Sequence, residues 1–313
     1  MKYTAENWPI AAALLQFPAK RSNGMLEQEA PASRWRDVAR EISLEGFAHI
    51  DLMDTWLRPA DLSKERKVEL KESFDAYGVG FAAISVIRKS VIDPDEEKAQ
   101  RNFDYIKRTI DTAAEYGVSI VSIGLHRDLF PAQKTAQWFW VEPGAIDEPN
   151  NPENWNLCVD RIGQLCEYAK PFNIELSLEM YEDTYIGTAD STLKLVSDIG
   201  ASNLGINPDI GNLVRLHRPI ENWEEMFIKL LPHSNYWHMK NYFRDEDPKN
   251  GLYTTTPAPM EFGFINYRRA IEIALESGYE GPLCVEHYGG DGLSVTATNR
   301  EYIRRILRAK LAK

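Results

Sequence analysis

Short apolar runs alternate with longer amphipathic stretches along the whole chain. The apolar runs cover residues 10–17, 48–53, 79–87, 118–125, 174–180, 204–207, 236–239 and 282–287. Helical patterns lie between them at 33–44, 63–77, 95–116, 155–170, 189–199, 223–231 and 266–277, and a last one at 296–311 closes the chain. Within 95–116, for example, Phe103, Ile106, Ile110 and Ala114 recur at helical spacing. Gly78, Gly117, Gly200 and Gly278 each fall where a helix should end, the place of a left-handed capping glycine. Eight strand–helix repeats, with strands rich in Ile, Val, Leu and Ala, predict a closed parallel (β/α)8 TIM barrel of the α/β class, one domain over 1–313. An open doubly wound sheet is the competing arrangement. It would want a glycine-rich phosphate loop after the first strand, and the sequence has none there.

Two stretches exceed what a barrel needs. Residues 130–154 follow the fourth strand and hold Trp138, Phe139 and Trp140; residues 241–264 follow the seventh and hold Tyr242, Tyr253 and three prolines. Both emerge at C-terminal strand ends, where barrel active sites lie. Each is expected to be either an aromatic lid over a ring-shaped substrate or a subunit contact.

Composition narrows the function. The 313 residues carry a net charge of −11 and no Lys/Arg-dense run, which argues against a nucleic-acid partner. The 3 cysteines (Cys158, Cys166 and Cys284) are scattered and lack C-x-x-C spacing, so a reducing, cytoplasmic setting is expected. The N-terminal apolar stretch has an acidic residue and a proline ahead of it and reads as a first strand rather than a signal peptide. No apolar run reaches membrane-spanning length, so no membrane partner is expected.

The chemistry gathers at strand ends. The fifth strand ends in Glu179, the sixth leads to Asp209, the seventh carries His238 and the eighth carries Glu286. Four successive strands thus each deliver one donor to the same rim. Three carboxylates and one imidazole make a hard, anionic cage suited to a divalent metal, Mn²⁺ first, with Mg²⁺ or Co²⁺ as alternatives. His126, at the end of the fourth strand, is a candidate general base or hydroxyl ligand. Lys240 shares the strand face of His238 and is a candidate for polarising a substrate oxygen; pairing with Asp209 or Glu182 is its structural alternative. Glu182 is a plausible substrate contact, and Asp51, Asp54 and Asp291 are plausible polar contacts. His287, His49, His217 and His233 read as structural, surface or packing residues.

These motifs resemble the xylose-isomerase-like barrels, the sugar phosphate isomerases and epimerases, which include ketose 3-epimerases and inosose dehydratases. The matching features are Glu179, the Asp-x-Gly of Asp209 and Gly211, the His-x-Lys of His238 and Lys240, and the closing stretch GYEGPLCVEHYGGD with Glu286. Arg244, six residues after His238, matches a substrate-binding arginine of the ketose epimerases. The chain departs from the pattern at Asn212, where many relatives have a histidine and where a substrate contact is expected; at Asn241, where Asp often follows the lysine; and at Asn266, where an Asp usually opens a helix. The resemblance implies proton removal next to a sugar carbonyl through a metal-stabilised enediolate, with Glu179 and Glu286 both ligating and moving protons. Epimerisation or isomerisation is the first expectation. β-Elimination on a 3-oxo sugar conjugate is the second; it is the chemistry of the dehydratases and of the C-glycoside deglycosidase metal subunits, which pair with a smaller subunit. A non-catalytic sugar-binding barrel is the third. The resemblance further implies a homo-oligomer acting on a sugar or sugar conjugate.

Overall fold

A computed structural model describes residues 2–312. The barrel strands are β1 (Ile10–Ala13), β2 (His49–Met53), β3 (Gly80–Val86), β4 (Ile120–Ile123), β5 (Glu175–Glu179), β6 (Leu204–Asn207) and β7 (Trp237–Met239), joined by β10 (Leu283–Val285). They form one parallel sheet in the order β6-β5-β4-β3-β2-β1-β10-β7. The connecting helices are α1 (Ala32–Leu44), α2 (Lys64–Asp75), α3 (Glu96–Tyr116), α5 (Pro152–Ala169), α6 (Ala189–Ile199), α8 (Trp223–Leu230), α9 (Tyr267–Glu276) and α10 (Gly292–Leu311), with short α4 (Pro131–Thr135) and α7 (Gly211–Val214) at the rim. The (β/α)8 architecture is the one expected. The four anticipated glycines all adopt positive φ, from 65° at Gly200 to 78° at Gly278.

Helix starts follow side-chain caps. Ser63, Asp95 and Thr188 accept backbone N–H bonds at the starts of α2, α3 and α6. Asn151 and Asp291 do the same for α5 and α10, which is why these helices begin earlier than the apolar pattern alone implies. Asn266 caps α9 by accepting from the N–H groups of Arg268 and Arg269, so the replacement of the usual Asp is met by an equally good cap.

The largest departure from expectation is the segment 241–264. It is a hairpin of β8 (Asn241–Asp247) and β9 (Leu252–Ala258), antiparallel from Asn241 opposite Ala258 to Asp247 opposite Leu252. Its backbone groups are satisfied by this local ladder instead of by the barrel.

Each barrel strand alternates between two environments. Ile50, Ile84, Val121, Leu176, Leu178, Ile206 and Trp237 pack into the large core between strands and helices. The alternate residues Ala11, Ala13, Met53, Ala83, Ile120, Tyr236 and Cys284 form a separate small cluster. Buried Asp51, Ser85, Ser122, Ser177, Glu179, Asn207 and His238 share the strand face of that cluster. The sheet is not closed by a regular ladder at the β6–β7 join. A single bridge pairs Ile206 with Ser234 there, and the side-chain oxygen of Asn207 accepts the N–H of His238 at 2.7 Å. Among the described residues, no helix is long and apolar enough to cross a membrane.

Candidate metal and active site

The four ligands proposed from the sequence converge. Nδ1 of His238 lies 3.0 Å from Glu286 Oε1, 3.8 Å from Glu179 Oε2 and 3.9 Å from Asp209 Oδ2. One donor atom from each of Glu179, Asp209 and His238 fits within a 4.8 Å span. Strand alternation explains the convergence: Glu179 and His238 point inward from β5 and β7, Glu286 continues the inward face of β10, and Asp209 follows β6 after the Pro208 turn. The backbone also pulls the strand ends together, since Met180 N–H donates to Asn207 O and Glu286 N–H to Met239 O.

A residue the motif reading placed only among possible polar contacts governs the imidazole. Asp51, fully buried on β2, accepts from His238 Nε2 at 2.8 Å, from Tyr236 at 2.8 Å and from Ser85 at 2.6 Å, all at Oδ2. A carboxylate is acceptor-only, so Nε2 carries the hydrogen toward Asp51 and Nδ1 faces the three other carboxylates. An acid in the middle of the apolar run of β2 was the available signal; its partner lies 187 residues away.

The donor set suits a divalent cation. Nδ1 of His238 and Oδ1 of Asp209 are buried without a hydrogen-bond partner, as expected of atoms that would otherwise ligate. Three hard oxygens and one imidazole are suitable donors. Lys240 sits on the same side, its Nζ 2.5 Å from both Asp209 Oδ2 and Glu286 Oε2, and supplies part of the positive charge the cluster needs. Its alternative pairing with Asp209 is therefore realised, and Glu286 takes the place of Glu182 as its second partner. Gly211 makes this possible. A Cβ there would stand 2.4 Å from Lys240 Cγ, which gives the Asp-x-Gly motif a steric cause.

The charges are unevenly perturbed. Burial pushes the Glu179 carboxyl up to about 7, assisted by Asp209 and Glu286 and opposed by His238. Burial likewise raises Asp209, against the pull of Lys240. For Glu286 burial acts in the same direction but is overcome by Lys240 and His238, which hold its carboxyl well below the usual range. Burial, reinforced by Arg88, Arg215 and Lys240, keeps His126 neutral.

His126, expected as a general base or a hydroxyl contact, follows β4. It is buried, stacks on Tyr181 at 4.4 Å between ring centres, and leaves Nδ1 without a partner. Gly124 clears its place, because a Cβ there would come within 2.3 Å of the ring. A cavity of about 210 Å³ opens on this side, lined by His126, Tyr181, Glu182, Trp140, Arg88 and neighbouring residues. Above it the 130–154 segment turns its aromatics inward: Trp140 packs on Tyr242 and Tyr288 at 5.5 and 5.4 Å, and Phe139 on Tyr288 at 6.1 Å.

The three residues expected at the substrate also bond within the chain. The Asn212 amide donates to Asp209 Oδ2 at 3.0 Å, Met180 O at 2.9 Å and Glu179 Oε1 at 3.3 Å, so it orders two of the candidate ligands. Both carboxylate oxygens of Glu182 accept from Arg215 Nη2, at 2.9 and 2.8 Å. Arg244 donates to the carbonyls of Val214, Leu216 and Arg218 and to Glu246, and these bonds fasten the hairpin to the 214–218 segment. His217, read as a surface or packing residue, adds to that fastening by accepting from Thr255 N–H at 3.1 Å.

A (β/α)8 barrel with a strand-end carboxylate–imidazole cluster is the class that fold and site define. The family model for xylose isomerase-like TIM barrels matches residues 37–308, and the chain belongs to that family. It is 43% identical, with a TM-score of 0.93 and 99% of each chain covered, to a xylose isomerase-like TIM barrel protein from Mycobacterium smegmatis crystallised in complex with magnesium. It is 20% identical over 302 residues, 93% of this chain and 95% of the relative, to L-ribulose-5-phosphate 3-epimerase of Escherichia coli strain SE11. A 28% identical match over 130 residues, 36% of this chain, links it to 3-dehydroshikimate dehydratase of Bacillus anthracis. The chain spans 43% of that dehydratase, and 58% of a further 28% identical protein from Methanocaldococcus jannaschii.

Proposed function

We propose that this protein is a divalent-metal-dependent sugar isomerase or epimerase that removes a proton next to a carbonyl. The observation carrying this reading is the orientation of His238: with Nε2 held by Asp51, its Nδ1 faces Glu179, Asp209 and Glu286. These four residues would hold the ion; magnesium is bound by the 43% identical relative, and manganese suits the same donors. A divalent cation there supplies Lewis acidity toward a carbonyl oxygen and its neighbouring hydroxyl.

The chain's own groups supply the rest. Glu179 and Glu286 reach the cluster from well-separated strands of the sheet, β5 and β10, and serve as proton carriers for a carbon between them. Neutral His126 offers Nδ1 to a substrate hydroxyl, and Lys240 donates to Asp209 and Glu286. Phe139, Trp140 and Tyr288 exclude water from the developing charge. The epimerase relative is consistent with this chemistry on a keto sugar.

Elimination is the second reading, favoured by the dehydratase relative and by an aromatic roof suited to an aryl-sugar conjugate. Metal-loaded protein should be incubated with free ketoses and, in parallel, with 3-oxo glycosides. Isomeric sugar supports the first reading and released aglycone the second; neither product, with metal bound, leaves the sugar-binding barrel. A cytoplasmic homo-oligomer is part of the same proposal. Its contact would lie along the hairpin side, where Phe243, Leu252 and Phe262 are exposed.

A further inference from the structure

Arg215 stands out among the buried groups that the proposed chemistry leaves unused. It is fully buried, and Glu182 receives two bonds from its Nη2. Its Nε and Nη1 are also buried and have no hydrogen-bond partner. An arginine cannot shed its proton to escape this situation, and each buried unpaired donor is costly. Such donors persist in folded proteins where a ligand or water completes them.

Aromatic rings surround the guanidinium. The guanidinium carbon lies 4.7 Å from the Phe139 ring centre, 5.1 Å from Tyr181 and 5.3 Å from Trp140. Tyr181, Glu182 and Trp140, which contact Arg215, line the cavity that His126 also lines. Two further orphaned groups, His126 Nδ1 and the Tyr242 hydroxyl, belong to the same packed cluster. The guanidinium charge is already balanced by Glu182, so its free N–H groups suit hydroxyl or carbonyl oxygens better than a phosphate dianion. The segment that carries Arg215 is pinned by Arg244 to the carbonyls on either side of it, and Thr255 donates to the Arg215 carbonyl at 2.6 Å.

We infer that Arg215 is the arginine that donates to an uncharged oxygen of the substrate sugar, with Glu182 fixing its plane and Arg244 holding its loop. The inference rests on the proposed sugar reading and specifies which chain group recognises the sugar, in the role the motif reading assigned to Arg244.

The test uses the full-length, Mg²⁺-loaded protein with free D-fructose and D-tagatose as probes, following tryptophan fluorescence for binding and product formation for turnover. Arg215→Met alone would strand a buried Glu182 carboxylate, so the double variant Arg215→Met/Glu182→Gln is measured beside it. The expected result is a weakening of sugar binding by about 10- to 100-fold in the double variant, the worth of one charge-assisted hydrogen bond. KM should rise by a similar factor, with Mg²⁺ affinity and thermal unfolding near wild type and partial recovery in Arg215→Lys. A folded, Mg²⁺-binding double variant with unchanged sugar affinity overturns the assignment. So does a wild type that binds neither free ketose. Binding without turnover, lost in the double variant, retires the isomerase reading and keeps this one.

Discussion

The outward and inward faces of the same eight strands differ in kind. Outward, Ile50, Ile84, Val121, Leu176, Leu178 and Ile206 meet the helices in one extended apolar core. Inward, the apolar residues are few and include three alanines and a cysteine, among Asp51, Ser85, Ser177, Glu179, Asn207 and His238. The outer face buries the area that drives folding. The inner face carries charges whose burial opposes folding unless each is paired. A strand period of two lets one stave serve both tasks, because neighbouring residues never share a face.

The contrast is sharp enough to break by substitution. The largest effect should come from Glu179→Gln: turnover falls on the order of 10³-fold, within the range of a lost acid–base group, and Mg²⁺ binding weakens, as calorimetry would show. Unchanged turnover would refute the site. On the opposite face, Leu176→Ala should lower unfolding free energy by about 3 kcal/mol in a denaturant titration. The folded fraction should keep its Mg²⁺ affinity, and a lost metal site there would show that the faces are not independent. Asp51→Asn removes the charge behind His238 while keeping its shape. Mg²⁺ affinity should drop about 10- to 100-fold, with little change in unfolding temperature.

The smallest expected effect concerns Asp54, at the rim beyond β2. Burial raises its carboxyl to about 6 from 3.8, against the attraction of Lys89. A carboxyl raised on folding binds more protons folded than unfolded, so stability falls as pH climbs between those two values. Asp54→Asn should therefore gain on the order of 1–2 kcal/mol at pH 8 and nothing below about pH 4, read from melts at both pH values. A gain of equal size at both would mean that the effect is not titration.

Much of this was legible in the chain. Strand-end Glu179, Asp209, His238 and Glu286 interrupt apolar runs at one repeat's spacing, so neighbouring staves must bring them together. Other features depend on contacts that local pattern does not encode. Asp51 reaches His238 across the lumen, 187 residues away. Arg215 sits in an apolar stretch with no motif, and only the fold reveals its unsatisfied donors. The β8–β9 hairpin begins with Asn-Tyr-Phe-Arg-Asp-Glu-Asp, which shows no apolar-inward alternation because Arg244 faces the 214–218 segment while Phe243 is exposed. The partners of Arg244 were equally hidden: its spacing from His238 fits a substrate contact, and only the fold shows its guanidinium bonded to the carbonyls of Val214, Leu216 and Arg218.

The join between β6 and β7 has a mechanical meaning. One bridge and one side-chain amide stitch it, whereas every other seam in the barrel has a ladder. Asp209 and His238 stand on opposite banks of that gap. An ion gripped by both would act as a rivet across the weakest seam, and emptying the site should loosen amide protons there before anywhere else in the wall.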